Sequence, residues 1–354
     1  MYCGCYSEID LDVKHLLKRG ALLAAANWQT VAIQFVAETT FQVLLAVPIV
    51  GAAVLVAVLL GGDLGEMLQG SLRHVFTTIA STLLSEPLAL VAFITSFAVV
   101  LIGGSVLMFA VKGGTVDVLI AANRDAGPIE QHPLGIDMLR QAARFTLRRF
   151  TDGCARLFRR YLALGLALMV VYAVSAAGYL AFVVHGYHAA EGRPLNTIIG
   201  WTFAAGLSAA LLVAWMTIVN VLYLLTQIAM AVDGVGGWDG CRETARFIRA
   251  EFRELAGVFT VVVVLVIAAT VVSALAWSGV GLIAFVPLVG LAVFPLQLAA
   301  LVLRGLAFEY LGLTALGAYL ALYQSYASRR GDAFSGARAD HGRSGVVVGV
   351  TGAI

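Results

Sequence analysis

Arg304 and Glu309 are ionisable residues set in the long apolar run that follows Pro295. A charge at the bilayer centre costs about 2.5–3.5 kcal/mol on insertion scales, so it persists only with a partner, a wet cavity or a task such as moving protons or solutes. The two residues stand 9 and 14 positions beyond Pro295, about 13 and 21 Å along a helix axis. Five residues turn a helix by about 140°, so their side chains do not face each other and each needs another partner. A polar transport path is one reading, and a contact that fixes the packing of the last helix is the other. Glu38 shares a helix face with Gln34 and Gln42 at i−4 and i+4, close to the headgroups, where solvated or packing roles are expected. Asn220 and Gln227, late in another apolar run, read the same way.

The densest chemistry is basic. Arg140, Arg144, Arg148, Arg149, Arg156, Arg159 and Arg160 surround an apolar stripe of Leu139, Ala143, Leu147, Phe150, Cys154, Leu157 and Phe158 at steps of three and four. Further on, Arg242, Arg246 and Arg249 accompany Ala245, Ile248, Phe252, Leu255 and Phe259, with Glu243, Glu251 and Glu254 interspersed. Both segments predict amphipathic helices at the membrane interface, with Phe150 and Phe252 packed inward. Each basic residue near an anionic membrane is worth about 1 kcal/mol. The arginines are therefore candidates for holding anionic lipid or an acidic protein partner, although orientation and anchoring alone would also use them.

Other chemistry is sparse. His185 and His188, with His74 and Glu191, read as an exposed loop pair and not as a metal site. Cys3, Cys5, Cys154 and Cys241 form no disulfide framework and no paired CxxC pattern. No HExxH, GxGD, Walker A lysine or serine elbow is present. The run from Asp239 to Arg246 spaces its Asp-Gly and Ala-Arg pairs two residues too far apart for a phosphatidyl-alcohol transferase start. No catalytic residue, metal, cofactor or nucleic-acid partner is expected.

The elements that must position these residues follow from composition. With 354 residues, 60% hydrophobic, 12% charged and a mean hydropathy of +0.92, the chain is an all-α, polytopic membrane bundle. Apolar runs predict six spans, at 31–62, 87–121, 161–185, 195–231, 256–278 and 293–327. Twenty of the 23 Lys and Arg fall in the N-terminus, residues 112–160, residues 232–255 and the tail, against Arg73 and Arg193 in the alternate loops. That asymmetry places both termini in the cytoplasm of a cell with an inner membrane. Trp28 and Trp238 then fall at the cytoplasmic interface and Trp201 and Trp277 near the outer one. The N-terminus lacks the order of a signal peptide and is expected to be retained.

The chain also repeats. Arg140, Ala143, Arg144, Phe145 and Phe150 recur as Arg242, Ala245, Arg246, Phe247 and Phe252, all displaced by 102 positions. Pro-Leu pairs at Pro87, Pro194 and Pro295 are each expected near a helix start, where proline forfeits no hydrogen bond. Trp28 to Ala32 aligns with Phe252 to Ala256 as a more divergent first copy. The expected plan is one transmembrane domain over 1–327, made of parallel units at about 10–121, 122–231 and 232–327, each a cytoplasmic amphipathic helix plus a helical hairpin. Residues 328–354 are expected to be a flexible cytoplasmic tail. Residues 278–294, with Pro287, Gly290 and Pro295, read as either a re-entrant segment or an apolar outer loop.

This plan, with the Arg140 to Phe150 and Arg242 to Phe252 helices at one face, resembles a set of bacterial membrane proteins that includes the membrane domain attached to some glycerophosphoryl diester phosphodiesterases. The resemblance covers residues 20 to 327. The hydrolase domain of those proteins has no counterpart here, so what it implies is a non-catalytic membrane module. The expected function is a non-enzymatic inner-membrane scaffold that gathers lipid or a partner on its basic helices. The alternative is a transporter or permease subunit with Arg304 and Glu309 in a polar path.

Overall fold

A computed structural model describes residues 13–60, 87–131, 136–190, 192–284 and 289–344. Its elements are α1 (Val13–Ala26), α2 (Trp28–Leu60), α3 (Pro87–Asp125), α4 (Ile136–Ala142), α5 (Leu147–Ala190), α6 (Leu195–Asp233), α7 (Gly237–Ala250), α8 (Phe252–Ala284) and α9 (Val289–Ser344). No strand occurs among the described residues. Six of their helical stretches are long and apolar enough to cross a membrane: Trp28–Gly51, Leu90–Asp125, Ile136–Ala190, Asn196–Asp233, Phe252–Ala276 and Pro295–Arg330. The protein is a multi-pass membrane helical bundle.

The long helices pair as hairpins, α2 with α3, α5 with α6 and α8 with α9, while α3 also packs along α5 and α1 along α9. Nearly all the buried side chains lie at one end, the end that carries the arginine-rich segments and is called the basic end below. There Leu16 and Leu23 of α1 meet Leu119 of α3, Tyr161 of α5, Ile228 of α6 and Leu320 of α9. Toward the far end the helices expose Val170, Phe203, Leu211, Val272 and Leu303, the surface that a bilayer covers.

Close helix approach depends on glycine at a few positions. A Cβ on Gly20 would collide with the carbonyl of Thr314, and one on Gly317 would stand 2.9 Å from the Cα of Gly20, so α1 and α9 touch backbone to backbone. Gly114 and Gly153 do the same for α3 against α5, where a Cβ on Gly114 would lie 2.7 Å from the Phe150 carbonyl oxygen. Small residues at such crossings are the usual device for packing helices where lipid supplies no hydrophobic drive.

Several expectations change. The Arg148 to Arg160 segment is not a separate helix. It is continuous with the span in α5, because no helix breaker separates Phe158 from Tyr161. Phe150 packs inward as expected, at 7% exposure, but Phe252 is 66% exposed. The helix breaks at Glu251, whose φ of −120° and ψ of 32° reset the rotation between α7 and α8, and Phe247 takes the inward place beside Tyr323. Leu147 is exposed for a related reason, since it opens α5 after a non-helical stretch at 143–146. Phe150→Leu should therefore cost about 1–2 kcal/mol, whereas Phe252→Leu should leave thermal unfolding in detergent unchanged; equal shifts would contradict the exposed placement.

Pro87 opens α3 and Pro194 caps α6, as expected, but Pro295 lies inside α9, six residues after its start. The end of α6 is set by Gly234, whose φ of 68° is the left-handed conformation that glycine adopts without strain. Ser278 to Ala284 continues α8 and Val289 opens α9, so the segment read as either re-entrant or an apolar outer loop is helical at both ends; residues 285–288 and the side chain of Trp277 lie outside the described residues. Beyond residue 328 the chain continues as helix through Ser344.

Candidate functional site

The apolar setting of Glu309 predicted a partner, and the structure supplies two. The Glu309 and Glu38 carboxyls stand within hydrogen-bonding reach, and the ammonium of Lys112 acts electrostatically on both. The three come from α9, α2 and α3, and all are half-buried. Gln42 donates from Nε2 to Glu38 Oε1 at 3.2 Å, and Lys112 Nζ lies 5.7 Å from the centre of the Tyr223 ring on α6. Four helices thus converge on one ionisable cluster within the apolar part of the bundle. Glu38, read from the sequence as a solvated or packing residue, is a member of this cluster.

Arg304 does not join it. Its side chain is on the exposed face of α9, with the guanidinium 5.7 Å from the Phe308 ring centre. The separation follows from the helical turn between positions 304 and 309. Lys112 is the member that sequence reasoning did not single out. It falls inside the expected span 87–121, which was the available signal, but near its basic end, where a lysine reads as an orientation marker.

At the basic end the arginines divide into two groups. Arg144, in the non-helical stretch before α5, pairs with Asp125 of α3 at 3.0 Å, Arg156 of α5 pairs with Asp117 of α3, and Arg246 pairs with Glu243 one turn earlier on α7 at 3.1 Å. Arg140 and Arg148 make only long, exposed contacts of 3.9 Å to Asp137 and Asp152, and Arg242 stacks on Trp238 at 5.6 Å. Arg149, Arg159, Arg160 and Arg249 are exposed and have no ion-pair partner among the described residues.

Three polar assemblies position this surface, and none was evident from spacing. Asn27, fully buried between α1 and α2, donates to the Leu23 and Ala142 carbonyls and accepts from the Arg144 and Phe145 amides. Arg19 bonds Asn123, Gly127 and Glu130 at the end of α3. Glu243, buried on α7, gathers Arg330, Arg246 and Tyr326, while Tyr323 donates to Asp233 at 2.6 Å. Arg329 reaches Glu251 at 2.5 Å; burial nevertheless pushes the Glu251 carboxyl above its ordinary range, against the pull of that guanidinium. Arg329 and Arg330, the first basic residues of the expected tail, thereby contact Glu251 and Glu243 of the bundle.

At the far end, His185 contacts the Ala181 carbonyl through Nδ1 at 2.8 Å. No group of three metal-ligating side chains occurs among the described residues, and His74 and Glu191 lie outside them, as do Cys3 and Cys5. Cys154 and Cys241 are free thiols. The chain matches no family model, no curated protein and no solved structure.

Proposed function

We propose that this membrane protein is a non-enzymatic scaffold of the inner membrane whose cytoplasmic basic end gathers anionic lipid headgroups. The observation that carries the reading is the set Arg149, Arg159, Arg160 and Arg249, without ion-pair partners among the described residues and exposed, as are Leu147, Trp238 and Phe252. Exposed guanidinium groups next to exposed large apolar side chains match the headgroup and acyl boundary, which offers phosphate and hydrocarbon side by side. The paired arginines, Arg144, Arg156 and Arg246, hold the helices; the unpaired ones are left to meet a ligand. Three tandem units, each bringing such a helix to the same face, would repeat the surface around the bundle. The resemblance to a non-catalytic membrane module agrees with this role.

The test is lipid retention in nanodiscs that contain a minor fraction of anionic phospholipid. At about 1 kcal/mol per basic residue, Arg159→Gln with Arg160→Gln should weaken the retained anionic lipid by roughly 30-fold while zwitterionic lipid is unaffected. Unchanged retention would sink the proposal and favour an acidic protein partner. The transporter reading is supported by the meeting of Glu309 with Glu38 and Lys112. Arg304 is exposed on another face of α9, near Phe308, and takes no part in that meeting.

A further inference from the structure

The ionisable cluster has a charge balance that asks for one more particle. Two carboxylates within hydrogen-bonding reach repel strongly in a low-dielectric interior, and a hydrogen bond between two carboxyls requires a proton on one of them. One ammonium compensates one carboxylate only. With a single proton on the carboxyl pair, Glu38, Glu309 and Lys112 sum to zero charge; without it they leave one uncompensated negative charge among apolar helices, which is costly.

The surroundings are built for a polar occupant. Tyr223 is 7% exposed, presents its ring to the Lys112 ammonium, and its hydroxyl has no hydrogen-bond partner among the described residues. Gln227, one turn further along the same face of α6, is 1% exposed with both polar side-chain atoms unpartnered, and Gln34, one turn before Glu38, has an unpartnered Oε1. Buried polar atoms of this kind cost about 1–3 kcal/mol each unless they serve something. The helices are also held close there: a Cβ on Gly305 of α9 would collide with the Phe35 ring of α2. That contact lies within about one helical turn of both Glu309 and Glu38 in sequence, on the two helices that carry the carboxyls.

We propose that Glu38, Glu309 and Lys112 form a proton-binding site inside the membrane part of the bundle, in which the two carboxyls share one exchangeable proton. Release passes that proton to water and leaves two carboxylates and one ammonium; uptake reverses it. The ionisable groups that face the site are Glu38 on α2, Lys112 on α3, Glu309 on α9 and Tyr223 on α6, with Tyr161 and Tyr172 of α5 behind Tyr223. The α8 helix, which packs on α9, carries no ionisable residue between Thr260 and Ala284. Because the proton neutralises the contact between α2 and α9, its occupancy is coupled to how tightly those helices close. The inference is independent of lipid binding at the basic end.

Infrared spectroscopy of the purified full-length protein tests it, since a buried protonated carboxyl has a C=O stretch distinct from that of a carboxylate. Wild type should show one such band per chain that fades as pH is raised and shifts on exchange into heavy water. Glu38→Gln and Glu309→Gln should each abolish it, because the remaining carboxylate then pairs with Lys112. Glu38→Asp keeps the carboxyl and should move the band without removing it. Absence of the band in wild type from mildly acidic to mildly alkaline pH would overturn the proposal. So would a band that survives both amide variants, or, where these fail to fold, one that Glu38→Asp leaves unmoved.

Discussion

Arg19→Met should destabilise the protein by about 3–5 kcal/mol, the range for breaking a largely buried ion pair by removing one partner. The Arg19 Nε donates to Asn123 Oδ1 at 2.6 Å and Nη2 to the Asn123 carbonyl at 2.9 Å, while Nη1 reaches the Gly127 carbonyl at 2.8 Å and Glu130 Oε2 at 2.7 Å. These carbonyls belong to the last turn of α3 and the loop after it, where a helix leaves acceptors unsatisfied and its dipole favours a cation. Asn123 passes the connection on by donating to Gln324 of α9 at 2.7 Å. One guanidinium therefore ties α1, α3 and α9 together. Methionine preserves the stem packing but strands Glu130, whose side chain is only 15% exposed. Arg19→Lys should recover little, since an ammonium cannot reproduce the planar fork. Adding Glu130→Gln to Arg19→Met should restore part of the loss by removing the unmatched charge. Thermal unfolding in detergent, followed by far-ultraviolet circular dichroism, reads all three; a wild-type midpoint for Arg19→Met would show the network to be dispensable.

Asn27→Leu should cost about 2–4 kcal/mol, because it leaves the Ala142 carbonyl and the Arg144 and Phe145 amides without partners. The chain between α4 and α5 is not helical at 143–146, so these groups have no intrahelical alternative. Asn27 meets them at 2.9–3.0 Å from a position with no solvent exposure. Asn27→Asp keeps both acceptor bonds to the amides but loses the donor to Ala142, and should fall between wild type and leucine. Since Arg144 also pairs with Asp125, loss of the clamp should further raise protease sensitivity in the 126–146 region. If aspartate and leucine behave alike, the amide contacts contribute nothing.

The six spans were legible in the sequence because hydropathy is a local sum, and a helix long enough to cross must satisfy its own backbone wherever its neighbours lie. The mutual aversion of Arg304 and Glu309 was legible too, since helical rotation over five residues is fixed by backbone geometry alone. The inward placing of Phe252 was not. It assumed that one helical phase ran through residue 251, and a break of a single residue rotates everything after it.

What the sequence determined by itself is therefore one-dimensional: membrane class, span positions, the basic bias of alternate loops, and the face each residue occupies within an unbroken helix. Only the tertiary structure decided that Glu309 meets Glu38 and Lys112, residues 271 and 197 positions away. It also decided which arginines sit in ion pairs and which have no ion-pair partner among the described residues. The reason is that helices choose neighbours through a few long-range contacts, glycine against backbone at Gly20 and Gly317, a buried amide at Asn27 and a guanidinium at Arg19. No periodicity along the chain encodes which of them will meet.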